Sequence, residues 1–402
     1  MKILHTSDWH LGQYFMMKTR EKEHQQFLSW LIETVNDQKV DAVIVAGDIF
    51  DSASPASYAR KLYADFVVQL QQSYCSQLVI VSGNHDSVAV LNESKSLLNA
   101  LNVAVLAGLS ENLNDHIIEI SNSKGEKGLV CALPFLRATD VMSGEHGLSA
   151  KQKQMNLQQG IAQTYEDIYQ LAKQKQTEQH QLVMATGHLT AVGCSVTESV
   201  RDIYIGTLTA FPSTLFPAFD YIALGHLHRS QMVQKNNTVR YSGSPIPLSF
   251  DESKHQKQVV IIEADGEDLS VNEYPIPCFQ PLMVITGDLK QVSEQLTALV
   301  NESKDDEIWA EVKLKQAYVE IDLQSVLNEI VVDSGIEILK VSSPQVNESS
   351  QWSEQQGVTL ETLTPTQLFE YRLSSEEHLS DVQQEQLTLL YKQVLADVEA
   401  QS

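Results

Sequence analysis

The sequence predicts an α/β protein built on sheets that are buried on both faces. Three observations carry this expectation. Short apolar strands alternate with amphipathic helices over residues 1 to about 275, several strands are continuous apolar runs, and those runs tend to end in glycine. Strands are expected at "MKILHTS", "DAVIVAG", "QLVIVSG", "GLVCALP", "QLVMATG", "YIALG" and "QVVIIEA". Helices are expected from Arg20 to Val35, with Phe27, Leu31 and Val35 on one face, and from Pro55 to Gln72, with Ser54 as N-cap and Pro55 at the first position. A third runs through Leu157, Ile161, Ile168 and Leu171, and the polar "AKQKQTEQHQ" after it reads as a solvated helix end.

After "YPIPCFQP" the pattern shortens to a βαβαβ unit: "PLMVITGD", a helix around Val292 to Val300, "IWAEVKLK", a helix around Val326 to Val332, and "GIEILKVSS". The expected organisation is a first domain over 1–275, a small α/β domain over 276–342, a Ser/Gln/Glu-rich linker over 343–362 and two capped helices over 363–402. Thr364, Pro365 and Gln367 mark the first of these helices, Ser374 and Glu377 the second. The second carries a stripe of Leu387, Leu390, Val394 and Val398, which folds back on the small domain or docks on a partner. No internal repeat is found.

Composition narrows the function classes. With 43% hydrophobic and 20% charged residues the 402-residue chain is globular and long enough for two or three cores. Its first residues turn polar too soon for a signal peptide and no apolar run reaches membrane-spanning length, so a cytoplasmic protein is expected. Cys75, Cys131, Cys194 and Cys278 stand far apart without a Cys-x-x-Cys, which suggests reduced thiols. A net charge of −24, of which −15 lies from residue 279 onward, excludes a protein that grips nucleic acid by a broad basic face of its own. A polyanionic substrate would need local attraction from bound cations or a partner.

Chemistry-bearing residues collect where the apolar runs end. "HTSDWHLG" supplies Asp8 and His10, "VAGDIFD" supplies Asp48, and "VSGNHDS" supplies Asn84, His85 and Asp86. "ATGHLT" adds His188, and "GHLH" adds His226 and His228. Open α/β sheets place their sites at these C-terminal strand ends. Singly each cluster also reads as an ordinary turn or a surface histidine. Five clusters at five strand ends, all rich in ligand types, point together to a metal site. Oxygen and imidazole donors without thiolate suit Mn²⁺, Fe²⁺ or Zn²⁺, and the groups are too many for one ion. A carboxylate can bridge two ions about 3.5–4 Å apart, and such a pair hydrolyses phosphate esters.

The order D-x-H, GD, GNHD, GH, GHLH resembles the calcineurin-like metallophosphoesterases. "ILHTSDWHLGQ", "VIVAGDIFDSASPASYAR", "VIVSGNHDS", "LPFLR", "YSGSPIPLSF" and the closing "LTPTQLFEYRL" further resemble the nuclease subunits of bacterial SbcCD-type double-strand-break-repair complexes. The resemblance implies a four-layer α/β/β/α sandwich with a small α/β capping domain. It implies one ion on Asp8, His10, Asp48 and His228 and a second on Asp48, Asn84, His188 and His226, with Mn²⁺ the usual metal. It implies that His85 works at the scissile phosphate, with Asp86 orienting it. It further implies DNA as substrate, attacked as 3′-to-5′ double-strand exonuclease, single-strand endonuclease and hairpin opener. The implied partner is an SbcC-type coiled-coil ATPase in a two-plus-two assembly, met by the C-terminal helices, and the implied setting is the nucleoid rather than a membrane. Relatives dimerise through nuclease-domain helices; Tyr58, Leu62, Phe66 and Leu70, and the segment Val90 to Leu101, are the candidates here, though buried intramolecular faces would look the same. Asp51 stands where archaeal and eukaryotic relatives often have a histidine, so that histidine's role does not carry over.

Two rivals use the same residues. The first is a small-molecule or protein phosphatase on the same scaffold; phosphoprotein phosphatases of the superfamily place an Arg in a "GDxVDRG" loop and read GNHE, where this chain has "GDIFDSA" and GNHD. A scaffold that lost catalysis would lack ligands, and none of the seven is missing.

Overall fold

The apolar runs form two six-stranded sheets. A computed structural model describes residues 1–142, 149–177, 180–200, 210–266, 268–302, 307–316 and 322–344, with 373, 387, 388, 390 and 391. In the first sheet, strands Lys2–Thr6, Ala42–Ala46, Gln77–Val81 and Val103–Leu106 run parallel, with Gln258–Asp265 and Asp268–Pro275 added antiparallel beyond Lys2–Thr6. In the second, Lys127–Cys131, Leu182–His188, Tyr221–Gly225 and Asn236–Tyr241 run parallel between antiparallel edges Ile117–Ser121 and Gln231–Val233. Every residue of Ala42–Ala46, Leu182–His188 and Tyr221–Gly225 is buried, which is why these strands read as unbroken apolar runs.

The sheets face each other across a core that includes Ile3, Ile44, Val81, Val130, Met184 and Ala223. Helices Glu21–Gln38 and Ser57–Gln71 cover the outer face of the first sheet with Phe27, Leu31, Val35, Phe66 and Leu70. Helix Ala150–Lys175 covers the outer face of the second with Leu157, Ile161 and Ile168. The result is the expected four-layer sandwich, with each fully buried aliphatic or aromatic side chain contributing about 1.5–3 kcal/mol. No helix among the described residues is long and apolar enough to cross a membrane.

A three-stranded parallel sheet of Leu282–Gly287, Ile308–Leu314 and Ile336–Ser342, with helices Leu289–Glu302 and Leu323–Ile330, forms the βαβαβ unit. It has its own core around Val292, Leu296, Val312 and Leu327. A second apolar cluster joins it to the sandwich, where Phe15 and Phe250 meet Leu282 and Trp309. The Arg20 guanidinium lies over the Phe15 and Trp309 rings at 4.9 and 5.5 Å.

Two helix starts change, and several strands appear that were not expected, among them Val103–Leu106, Ile117–Ser121, Asn236–Tyr241 and Asp268–Pro275. The helix expected from Pro55 with Ser54 as cap begins at Ser57, because Ala56 is extended (φ −58°, ψ 153°) and its carbonyl is the first to accept a helical bond, from Arg60 at 3.2 Å. The first helix starts one residue later than expected, since Arg20 is its N-cap, and runs on to Gln38, ended by Lys39 at φ 53°. The edge strand Asp268–Pro275 gives no apolar signal because its side chains alternate between half-buried and exposed. The chain divides into the units Met1–Ser343 and Pro344–Ser402. The expected linker and C-terminal helices lie outside the described residues apart from those named above.

Candidate metal centre

All seven expected ligands and His85 come together at the C-terminal ends of the parallel strands. Loops after Lys2–Thr6 and Ala42–Ala46 continue the sheet's pairing beyond its edge: the N–H of Asp8, His10 and Leu11 donate to the carbonyls of Gly47, Asp48 and Ile49 at 3.0, 3.0 and 2.9 Å. Within this frame Asp8, His10, Asp48 and His226 hold left-handed φ of 52°, 47°, 50° and 97°. Such conformations cost of order 1–3 kcal/mol each and persist where surrounding contacts fix them, commonly at functional sites. Glycine lets the loops close together. A Cβ on Gly83 would stand 2.1 Å from Asp48 Oδ1, and one on Gly225 would stand 1.8 Å from the Ala46 carbonyl.

The donors fall into two buried groups, Asp8/His10/His228 and Asp48/His188/His226, within each of which one ligand atom per residue lies within 4.8 Å of the others. Asn84 joins the second group, its Oδ1 2.9 Å from His188 Nε2 and 3.3 Å from His226 Nδ1. Asp48 stands between the groups: its Oδ2 is 3.5 Å from His10 Nε2 and 3.2 Å from His188 Nε2, while its Oδ1 accepts from the His85 N–H at 2.9 Å. Asp8 is held by the His226 N–H on Oδ1 at 2.8 Å and by the Ser7 hydroxyl on Oδ2 at 2.6 Å.

The protonation pattern fits a metal ion. His188 Nδ1 lies 3.0 Å from the Ala46 carbonyl, which can only accept, so this nitrogen carries the proton. A neutral His188 then aims the lone pair of Nε2 at two oxygens, an arrangement that a cation resolves. His10 Nδ1 lies 3.1 Å from Asp51 Oδ1, and its buried Nε2 has no hydrogen-bond partner among the described residues. A carboxylate that fixes one imidazole nitrogen while the other faces the cavity is the usual support of a ligating histidine. His228 Nδ1 similarly meets Ser199 Oγ at 2.6 Å.

Without a metal ion the same geometry makes charged pairs. Burial opposes a charge on His188, but the Asp48 carboxylate raises its pKa to about 9. Burial likewise works against Asp48, yet His188 and His10 keep its pKa low and the carboxylate charged. His10 is raised against burial by Asp51, Asp48 and Asp8. His226 is pushed well below its ordinary range by burial and by the His188 charge. Carboxylates and imidazoles with no thiolate form a hard-to-borderline donor set suited to a divalent ion.

Asp86 works on the loops. Its carboxylate accepts from the N–H groups of Ile49, Phe50 and Gly83 at 3.1, 2.9 and 2.9 Å, tying the GD and GNHD turns together. The His85 ring is instead held by the Asp51 carbonyl, 2.7 Å from Nδ1. Asp51 thus serves two rings, His10 through its carboxylate and His85 through its backbone. Its place three residues after Asp48 in "GDIFD" was the available signal; Ser199 had none. Asp51, Asn84 and His85 are partly exposed and the other expected ligands are buried, so the centre opens on the side of Asp51 and His85.

Comparison with known proteins agrees with this chemistry. Residues 1–230 match the family model described as calcineurin-like phosphoesterase, and residues 278–377 match that described as type 5 capsule protein repressor C-terminal domain. The SbcD subunit of the nuclease SbcCD from Escherichia coli (strain K12) is 43% identical over 398 residues, covering 98% of each chain. The protein of the same name from Rhodobacter capsulatus is 35% identical over 296 residues, covering 70% of this chain and 71% of its own. That from Bacillus subtilis (strain 168) is 29% identical over 323 residues, covering 79% and 80%. The chain belongs to the calcineurin-like phosphoesterase family and, within it, to the SbcD family of SbcCD nuclease subunits.

Proposed function

We propose that this chain is a two-metal DNA nuclease, the phosphodiesterase subunit of an SbcCD-type complex. One ion would sit on Asp8, His10, Asp48 and His228, the other on Asp48, Asn84, His188 and His226. The carrying observation is the Asp48 carboxylate, with one oxygen close to a ring nitrogen of each ligand group. Bound there, a pair of divalent ions, Mn²⁺ by the family's habit, supplies a water nucleophile at neutral pH and neutralises the phosphoryl oxygens of an in-line displacement. His85, on the open side with its Nδ1 held by the Asp51 carbonyl, presents Nε2 to protonate the departing 3′ oxygen. Asp48 steadies it by accepting its backbone N–H, and Asp86 fixes the loop on which it rides.

DNA fits the charge distribution when a partner shares the binding. A chain of net charge −24 repels a polyanion except where cations are bound, so basic surface must come from elsewhere. An SbcC-type coiled-coil ATPase, in a two-plus-two heterotetramer on DNA in the cytoplasm, would supply it. The small domain over 276–342 would cap the site, and the helices over 363–402 would bind the ATPase. A homodimer would form through helix Ser57–Gln71 and the segment around Val90 to Leu101, where Val68 and Leu97 are exposed.

The test is cleavage of a hairpin DNA by the purified chain with Mn²⁺, with and without the ATPase and ATP. Wild type is expected to cut, and Asp48→Ala to lose all cleavage. His85→Ala is expected to keep DNA and metal binding while turnover falls about 10²- to 10⁴-fold. Removing residues 363–402 is expected to preserve cutting by the chain alone and abolish its response to the ATPase. Undiminished cleavage by Asp48→Ala would overturn the reading.

A further inference from the structure

Behind His228, on the side away from the cavity, lies a polar network that the proposed reaction does not use. Its centre is Glu252, 0% exposed, in the short 3₁₀ turn Phe250–Glu252. Glu252 Oε1 accepts from the hydroxyls of Thr197 and Ser249, both at 3.1 Å, and from the Ser199 hydroxyl. Its Oε2 accepts from the Leu248 N–H at 3.1 Å and from Lys257 Nζ at 2.5 Å. Lys257, 7% exposed, also donates to the His228 carbonyl at 3.0 Å. A buried carboxylate–ammonium pair is expensive to desolvate and is weak evidence for stability by itself. This pair grips both ends of one expected ligand: Lys257 holds the His228 backbone, and Glu252 reaches its ring through Ser199, with Oε1 itself 3.5 Å from His228 Nδ1.

Proton direction fixes what the network does. Ser199 Oγ has one proton, and the carboxylate of Glu252 can only accept it, so the oxygen meets His228 Nδ1, 2.6 Å away, as an acceptor. Nδ1 then carries the ring proton and the lone pair is left on Nε2. We propose that Glu252, acting through Ser199, is a positioning residue that fixes the tautomer and orientation of His228 for metal binding. This rests on the reading of His228 as a ligand. Partners of this kind typically change metal affinity 10- to 100-fold when removed.

The experiment is Mn²⁺ titration of the chelator-treated full chain by calorimetry, with thermal unfolding in chelator as the fold check. Ser199→Ala strands no charge and is expected to weaken one of the two Mn²⁺ sites about 10-fold, leaving the other site and the metal-free melting temperature unchanged. Glu252→Gln is expected to weaken the same site by up to about 100-fold. Because Glu252→Gln also leaves Lys257 unpaired, the double variant Glu252→Gln, Lys257→Met is measured beside it. A double variant that regains metal-free stability but not Mn²⁺ affinity supports positioning; one that regains both shows a structural role only and overturns it. Unchanged affinity in Ser199→Ala overturns the route through Ser199, and unchanged affinity in both Ser199→Ala and the double variant overturns the positioning role altogether. His228→Ala separates the two failures, since two Mn²⁺ retained in that variant would sink the ligand assignment itself.

Discussion

Fixed acceptors decide where four of the five imidazoles at the centre keep their protons: the Ala46 carbonyl for His188, Asp51 for His10 and His85, and Ser199 for His228. A measurable proton balance follows. In the metal-free chain burial disfavours the charged His188 ring, but Asp48 holds its pKa at about 9, above the ordinary 6.5. The stabilisation from this pair is therefore full below about pH 6.5 and is lost as pH rises through about 9. A metal ion requires the neutral ring and must displace that proton. Mn²⁺ binding at pH 7.5 is expected to release at least one proton, a release that shrinks as pH passes about 9. Calorimetry in buffers of different ionisation enthalpy checks this; buffer-independent heats at pH 7.5 would contradict it. The residues that gather at the centre were legible because each stands at or just after the end of an apolar strand. Asp51 was legible after the GD motif but without a role, and Ser199 gave no signal, because a residue that supports an imidazole need only reach one ring nitrogen, and Ser199 does so from 29 positions away.

The turn Phe250–Glu252 and the hairpin of Tyr14–Phe15 with Lys18–Thr19 meet the small domain directly. Phe15 stacks on Trp309 with ring centroids 5.9 Å apart and lies 5.0 Å from Phe250, two residues before Glu252. Removing the Trp309 indole takes away the shared wall of that cluster. Trp309→Ala is expected to cost about 2–3 kcal/mol, below the ~3–5 of a fully buried tryptophan since the ring is only partly buried. Hydrogen exchange is expected to rise at Phe250–Glu252 and across the small sheet, with Ala42–Ala46 and Tyr221–Gly225 unchanged; uniform loss of protection would contradict this. Strands sealed between the layers were legible as apolar runs. Val103–Leu106, Ile117–Ser121, Gln231–Val233, Asn236–Tyr241 and Asp268–Pro275 were not expected, because short or half-solvated strands give too brief or too mixed an apolar pattern. The start of helix Ser57–Gln71 was misplaced because the cap-like Ser54-Pro55 precedes an extended Ala56, whose conformation depends on its surroundings.

Across the whole molecule, two sheets contribute strand-end loops to one place. Asp8, Asp48 and Asn84 follow strands of the first sheet; His188 ends a strand of the second, and His226 and His228 follow the next. Neither sheet alone completes a ligand group, so metal binding reports on the packing of the sandwich. That packing is dense at Gly83 and Gly225, where a single added carbon would collide with Asp48 or the opposite sheet's backbone. The family, the order of the expected ligands and, through the resemblance, the place of Asp48 in both sets were legible in the motifs, whereas the support of His10 by Asp51 and of His228 by Ser199 emerges only once the sheets are stacked. The most direct test is anomalous diffraction at the manganese edge from crystals grown with Mn²⁺. The result expected is two peaks about 3.5–4 Å apart with the Asp48 carboxylate between them. A single peak, or peaks that Asp48 does not touch, would contradict the account.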